Sequence, residues 1–362
     1  MRELHVGLMT GTSLDGIDAA LVAFEGSRMR LLNGIQAPMT EALRRELLAL
    51  ASPGNNEAER CALAANDLAR AYAAAVRDLL RESGRGAAEI ATLGCHGQTV
   101  RHRPDLGYSL QLINPALLAE LTGITVVADF RSRDIAAGGQ GAPLAPAFHA
   151  AWFASPRRHR VVVNIGGIAN LTDLPPRALV TGFDCGPGNI LMDGWSARHT
   201  GQTMDRDGAW AETGAVLPEL LAHLLAHPFF DTAPPKSTGR EQFNLAWLQT
   251  HLTSANPPQD VQATLLQLTV DAIALAISRY CAAAQEVYLC GGGAYNTALL
   301  KRLQARLAIP VTTTDPLGIA PSLVEACAFA WLARKTLHGK PGNLPQVTGA
   351  RYDCILGAIY RA

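Results

Sequence analysis

LMTGTSLDGIDAALV, residues Leu8–Val22, sets two glycines, three hydroxyls and two carboxylates between apolar runs. From His5 to Val22 the chain reads as two strands joined by the GTSLDG turn. Glycine admits backbone angles closed to other residues and lets a ligand come close to the main chain. Successive N–H groups in such a turn form a concave nest that favours an anion. Thr10, Thr12 and Ser13 add hydroxyl donors without bulk, so the stretch has the chemistry of a phosphate cradle. A tight hairpin in which Gly and Asp serve only the turn explains it equally well.

A second stretch tips the balance. VVVNIGGIANLTDL, residues 161–174, repeats the pattern of apolar strand, Gly-containing polar turn and second strand. Asn164, Gly166, Gly167, Asn170 and Thr172 make its polar positions. CGGGAYN, from Cys290 to Asn296, then follows the strand EVYL and precedes a helix. Gly291, Gly292 and Gly293 would let a base or ribose lie on the backbone, with Asn296 opening a helix whose N-terminus favours phosphate. The turn matches neither GxGxxG nor GxxxxGK[ST], which removes the main support for Rossmann and P-loop readings. Three glycine turns at these positions suggest a nucleotide gripped by two domains.

The rest of the chain fits that plan. Apolar residues at helical spacing run from about Asn55 to Ser83, and the strand IATLGC leads into the polar loop CHGQTV. SLQLI, a helix from Pro115 to Leu121 and the strand ITVVADF continue the alternation of an α/β layered domain. The charged break SPRRHR near Ser155–Arg160 divides 1–157 from 158–362. The second half supplies VTGFD, the helix NILMDGWSARH, a long helix near Val261–Ala284 read as core rather than dimer seam, and a last helix, LVEACAFAWLARKTL. In that last helix Glu325 reads as a charge on the solvated face ahead of the alternative, a cleft position at the domain interface, while Met192, Trp195 and Trp331 read as core.

Composition narrows the function class. Lys plus Arg and Asp plus Glu both number 31 in 362 residues, so no global field draws the chain to nucleic acid or an anionic membrane. No run approaches the roughly 20 apolar residues a bilayer span needs, and MRELHVGLM lacks the pattern of a signal peptide. Seven scattered cysteines, none as CxxC, fit reduced thiols in a cytoplasm.

GLMTGTSLDGIDAALV, CHGQTVRH, DFRSRDIAAGGQGAPL, NIGGIANLT, GFDCGPGN and CGGGAYN together resemble the anhydro-N-acetylmuramic acid kinase family. That family lies within the sugar-kinase, Hsp70 and actin superfamily. The resemblance runs from Gly7 to about Ala330. It implies two related actin/hexokinase-like (ribonuclease H-like) α/β domains with a nucleotide cleft between them. It also implies ATP and Mg2+, and phosphorylation of the 6-oxygen of an anhydro sugar while water opens its bridge at C1. A small acidic sugar is then the partner, with neither nucleic acid nor membrane, and a homodimer is left open.

The resemblance assigns residues as well. Gly11, Thr12, Ser13, Leu14, Asp15, Gly16, Ile17 and Asp18 fall in the first nucleotide hairpin. Asn164, Gly166 and Gly167 fall in the second, and Gly291, Gly292, Gly293 and Asn296 in the adenosine loop. Asp184, at the end of VTGFD, matches the family's catalytic Asp and would take a proton from water. His96, Gln98, Thr99 and Arg131 would meet the sugar, Arg131 pairing with its lactyl carboxylate. Arg131 has an equal alternative as an ion pair with Asp129 or Asp134, and His96 as a buried hydrogen-bonded histidine. The wider superfamily usually carries Asp where Met9 and Asn164 stand, so the metal ligands do not transfer. Two other functions stay in play: an ordinary sugar kinase acting on a free hydroxyl, and an ATP-gated binding module.

Overall fold

The computed structural model describes residues 2–11, 14 and 16–362. Two compact units account for them. One is Met1–Trp152 with Ser322–Ala362, the other Phe153–Pro321. The chain therefore leaves the first unit near the expected boundary but returns to it at Ser322, so that residues 322–362, expected in the second domain, pack in the first.

In the first unit the strands are β1 (Arg2–Met9), β2 (Ile17–Glu25), β3 (Arg28–Ala37), β4 (Ile90–Cys95), β5 (Gln98–Arg103), β6 (Tyr108–Leu112) and β7 (Val126–Ala128). The second unit holds β8 (Arg160–Ile165), β9 (Ile168–Leu174), β10 (Thr181–Pro187), β11 (Glu286–Cys290) and β12 (Val311–Thr313). β13 (Ala358–Tyr360) closes the chain.

The two main sheets repeat one plan. In the first, β1, β2 and β3 form an antiparallel meander, and β4 then β7 add in parallel beside β1. In the second, β8, β9 and β10 form the meander, and β11 then β12 add in parallel beside β8. The strand orders β3-β2-β1-β4-β7 and β10-β9-β8-β11-β12 correspond one to one. This is the paired actin/hexokinase-like α/β architecture, and it places the two Gly-rich hairpins at equivalent positions. β13 pairs antiparallel with β7 as an extra edge in the first sheet, and β5 and β6 form a separate ribbon.

Each sheet is covered by helices whose apolar faces match it. Glu57–Ser83 turns Leu68, Tyr72, Val76 and Leu79 into the first core and ends at Gly84, whose φ of +61° suits a glycine C-cap. Val324–Leu337 is buried over most of its length because it lies directly on the sheet. A Cβ on Gly7 of β1 would stand 1.7 Å from the Ala326 carbonyl oxygen, and one on Gly94 of β4 2.0 Å from that of Phe329. Two missing side chains thus bring that helix onto β1 and β4. In the second unit Pro258–Tyr280 plays the core role. It is long and apolar enough to cross a membrane by length and composition, yet 78% of its apolar window is buried in the fold.

Candidate functional site

The first hairpin turn follows Met9, which pairs with Asp18 across the β1–β2 ladder. The N–H of Leu14 donates to Gly11 O at 3.1 Å, and Leu14 sits at φ +57° with its side chain in the core. Ile17 is likewise core, and a Cβ on Gly16 would press on the Ala37 carbonyl at 2.9 Å. Asp18 Oδ1 accepts Gln36 Nε2 at 3.2 Å. Thr12, Ser13 and Asp15 lie outside the described residues. Thr10, expected as a ligand donor, is buried: its hydroxyl meets the Tyr72 hydroxyl at 2.8 Å and donates to Gly97 O at 3.3 Å. Its role is to tie the turn to the helix beneath.

The second hairpin pairs Asn164 with Asn170 and turns through Gly166 and Gly167. The N–H groups of Asn189 and Gly188 donate to Gly166 O and Gly167 O at 2.8 and 2.9 Å. The turn is thus anchored on the start of the helix Ile190–Thr200. The third turn leaves β11 at Gly291, whose φ is +78° and whose Cβ would stand 2.4 Å from Asn164 Oδ1. A Cβ on Gly293 would stand 2.3 Å from the Ile165 side chain. Those two glycines are demanded by packing against the second hairpin. Gly292 and Gly166 are not: a Cβ would meet nothing within 4 Å at the first and only Ile168 O at 3.7 Å at the second. Open space above two main-chain positions is what a ligand lying on the backbone requires. Asn296 caps the helix Thr297–Arg306 by accepting the Leu299 N–H at 3.0 Å.

Asp184 lies on β10 where the register with β9 shifts between Asp184 and Gly186. A bulge re-aims a side chain out of the ladder. The half-buried carboxylate accepts the N–H of Thr238 on Oδ2 at 2.9 Å, and the Asp184 N–H donates to Lys236 O at 3.1 Å. Burial pushes its pKa up to about 6, against the lowering pull of the Thr238 N–H. Glu241 adds to the rise, and Lys236 opposes it. The segment Lys236–Glu241 is a partner of Asp184 that sequence reading missed; its polar, Gly-containing KSTGRE carries no apolar period to mark it.

In the first unit His96 and Arg131 come together. His96 is buried, with Nδ1 at 2.7 Å from Gly97 O and Nε2 receiving Arg131 Nη2 at 2.8 Å and Nε at 3.2 Å. Burial, helped by the Arg131 charge, lowers the His96 pKa to about 3, so the ring is neutral. Arg131 Nη1 donates to Gly141 O at 2.7 Å. Burial brings its pKa down to about 10, with Glu325 and Asp134 holding it up. Neither the Asp129 nor the Asp134 ion pair is formed: Asp129 takes the Ser132 hydroxyl, and Asp134 turns to other donors described below.

Glu325 is half-buried rather than on a solvated face, its carboxyl raised by burial and drawn back by Arg131. Its apolar flanks, not any charge pattern, were the signal that the position is internal. Gln98 is buried, with Nε2 donating to Thr99 O at 3.4 Å and Oε1 meeting no hydrogen-bond donor among the described residues. Thr99 Oγ1 accepts Gln111 Nε2 at 3.0 Å.

The family model for anhydro-N-acetylmuramic acid kinase matches residues 3–362. The anhydro-N-acetylmuramic acid kinase of Nitrosospira multiformis is 57% identical over 361 residues, 99% of each chain. That of Bordetella pertussis is 56% identical over 365 residues, 99% of this chain and 96% of its own. Among solved structures, a ROK family glucokinase from Streptomyces griseus with glucose and AMPPNP aligns at a TM-score of 0.42 and 14% identity, over 92% of this chain and 99% of that one. With a family match along nearly all its length, the chain belongs to the anhydro-N-acetylmuramic acid kinase family.

Proposed function

We infer that this family member transfers the γ-phosphoryl group of ATP to the 6-oxygen of 1,6-anhydro-N-acetylmuramic acid while water opens the bridge at C1. The products are MurNAc 6-phosphate and ADP, a step of peptidoglycan recycling. The observation that carries the reading is Asp184, a bulge carboxylate whose pKa is raised to about 6. A general base works best with a pKa near the operating pH. The 6-oxygen of the substrate is an ether and has no proton to lose. The group that needs a base is therefore the attacking water, whose proton passes to Asp184 as its oxygen bonds C1. The C1–O6 electron pair moves to O6, which takes the phosphoryl group.

His96, Gln98, Thr99 and Arg131 bind and orient the sugar in this reading, Arg131 meeting its carboxylate. Gly166 and Gly292, open above the backbone, would carry the nucleotide with Asn164 and Asn296. Mg2+ needs only one or two carboxylates beside phosphate oxygens, and the Asp18 carboxylate beside the first hairpin turn suits it. No group of three metal-ligating side chains stands among the described residues. When bound, the ion would neutralise phosphate charge. We place the reaction in the cytoplasm, in keeping with seven free cysteines, six of them buried.

Turnover in heavy-oxygen water tests the reading. Label at C1 of the phosphorylated product supports hydrolytic opening. Unlabelled product would replace it with an ordinary kinase in which Asp184 deprotonates a sugar hydroxyl.

A further inference from the structure

The loop after Arg131 is held by the carboxylate of Asp134, which has no exposed surface. Its Oδ2 accepts the N–H of Gly141 at 2.8 Å. Its Oδ1 accepts Asn343 Nδ2 at 2.8 Å and the Thr348 hydroxyl at 2.7 Å. Asn343 and Thr348 are themselves buried, and they come from the far end of the chain. Gly141, at φ +67°, offers its carbonyl to Arg131 Nη1 at 2.7 Å. One residue is therefore gripped by Asp134 through its N–H and grips Arg131 through its carbonyl. The main chain adds a second tie, with the Gln140 N–H on Thr348 O at 2.7 Å and the Arg351 N–H on Ala137 O at 3.0 Å.

A carboxylate removed from water is costly unless donors match its lone pairs. Apolar side chains would fasten a C-terminal turn to a loop without that cost. Three directed donors do something apolar contact cannot: they fix the Asp134 oxygens, and through Gly141 they fix where the Arg131 guanidinium stands. Bidentate recognition of a carboxylate is sensitive to such placement.

We propose that the C-terminal turn Asn343–Thr348 is a positioning element for the sugar site, acting through Asp134 and Gly141 to set Arg131 for the acidic group of the substrate. This rests on the reading of Arg131 as the partner of the sugar's carboxylate. Asn343, Thr348 and Asp134 touch no reacting atom; they act through Arg131.

The test is a cycle of Thr348→Val and Arg131→Ala in the full chain, with 1,6-anhydro-N-acetylmuramic acid and ATP as probes. Thr348→Val keeps the volume and removes one directed donor. It is expected to raise the KM for the sugar roughly tenfold, leaving kcat and the KM for ATP within about twofold. Thr348→Ser should restore the sugar KM, and in an Arg131→Ala background Thr348→Val should add little further loss. A normal sugar KM in Thr348→Val, or effects of the two changes that simply multiply, overturns the proposal while leaving the role of Arg131 intact. A normal sugar KM in Arg131→Ala overturns that role and the proposal with it. Should Thr348→Val fail to fold, Asn343→Ser, too short to reach Asp134, goes through the same measurements with the same outcomes.

Discussion

The guanidinium of Arg131 donates to Nε2 of His96 at 2.8 Å, which makes that nitrogen an acceptor and leaves the ring proton on Nδ1, facing Gly97 O. Burial first, and the Arg131 cation second, keep the ring from protonating and lower its pKa to about 3, against the small opposing pull of the Gly97 carbonyl. The ring resonances of His96 should therefore show no titration between pH 5 and 8 in nitrogen-detected spectra. A midpoint near 6.5, the ordinary histidine value, would refute the tautomer. His96→Phe, which fills the space but accepts nothing, should raise the sugar KM at least tenfold by leaving two Arg131 donors unmatched.

Asp184→Asn keeps an acceptor for the Thr238 N–H but cannot take a proton. Turnover should fall by about 10²–10⁴, with nucleotide and sugar binding by calorimetry retained. For the unchanged enzyme, kcat/KM should fall on the acid side with a midpoint near pH 6, the raised pKa of this carboxyl. An acid limb near pH 4 would remove Asp184 from the role.

The same residue has a stability signature. Its folded pKa lies above the unfolded one of 3.8, so the ionised form is penalised at neutral pH and relieved as pH falls through 6. Asp184→Asn should melt at a higher temperature than the parent at pH 8, and the difference should vanish by pH 4. A parent equally or more stable than the variant at pH 8 contradicts the desolvation that sets this pKa.

Three buried histidines act in the opposite sense. Burial lowers His5 to about 4 and His96 and His149 to about 3. Below pH 6.5 the unfolded chain gains protons that these rings refuse, so stability present above that value is lost as pH falls towards 3. At pH 5.5 most of each unfolded histidine is already charged, and three such losses outweigh the relief from the single Asp184 carboxyl, which is just past its midpoint. The urea midpoint should be lower at pH 5.5 than at pH 7.5, and an unchanged midpoint would show these rings to be less buried.

Two glycine substitutions separate packing from ligand binding. Gly166→Ala meets nothing closer than 3.7 Å, so the melting temperature should hold while the KM for ATP rises. Gly291→Ala must adopt φ +78° against Asn164 and Ile165, and should cost about 1–3 kcal/mol of stability. Equal effects on ATP and on melting in Gly166→Ala would mark the second turn as structural only.

Much of this was legible in the residues because it rests on local pattern. VVVNI and EVYLC are short apolar runs bounded by glycine, and both are central strands. β3 was not legible: RMRLLNGIQA lies at the sheet edge, half-exposed along its length, and has no run of apolar residues to announce it. Asp184 stood out by its place at the end of a strand, but Thr238 and Lys236, which set its environment, lie more than 50 positions away. Glu325 was misjudged because helical spacing shows which residues share a face, not what covers it. Arg131 showed a similar limit, since the two acids near it in the chain are not its partners and His96 is.

The return of Ser322–Ala362 to the first unit bears on the order of events at the ribosome. Domains made first usually fold first. Here the sheet begun by the earliest residues keeps Gly7 and Gly94 uncovered until Val324–Leu337 is synthesised, whereas Phe153–Pro321 emerges as one uninterrupted piece. The later-born half can mature while the older half waits, and a nascent chain stalled before that last helix would hold a finished second unit behind an unfinished first.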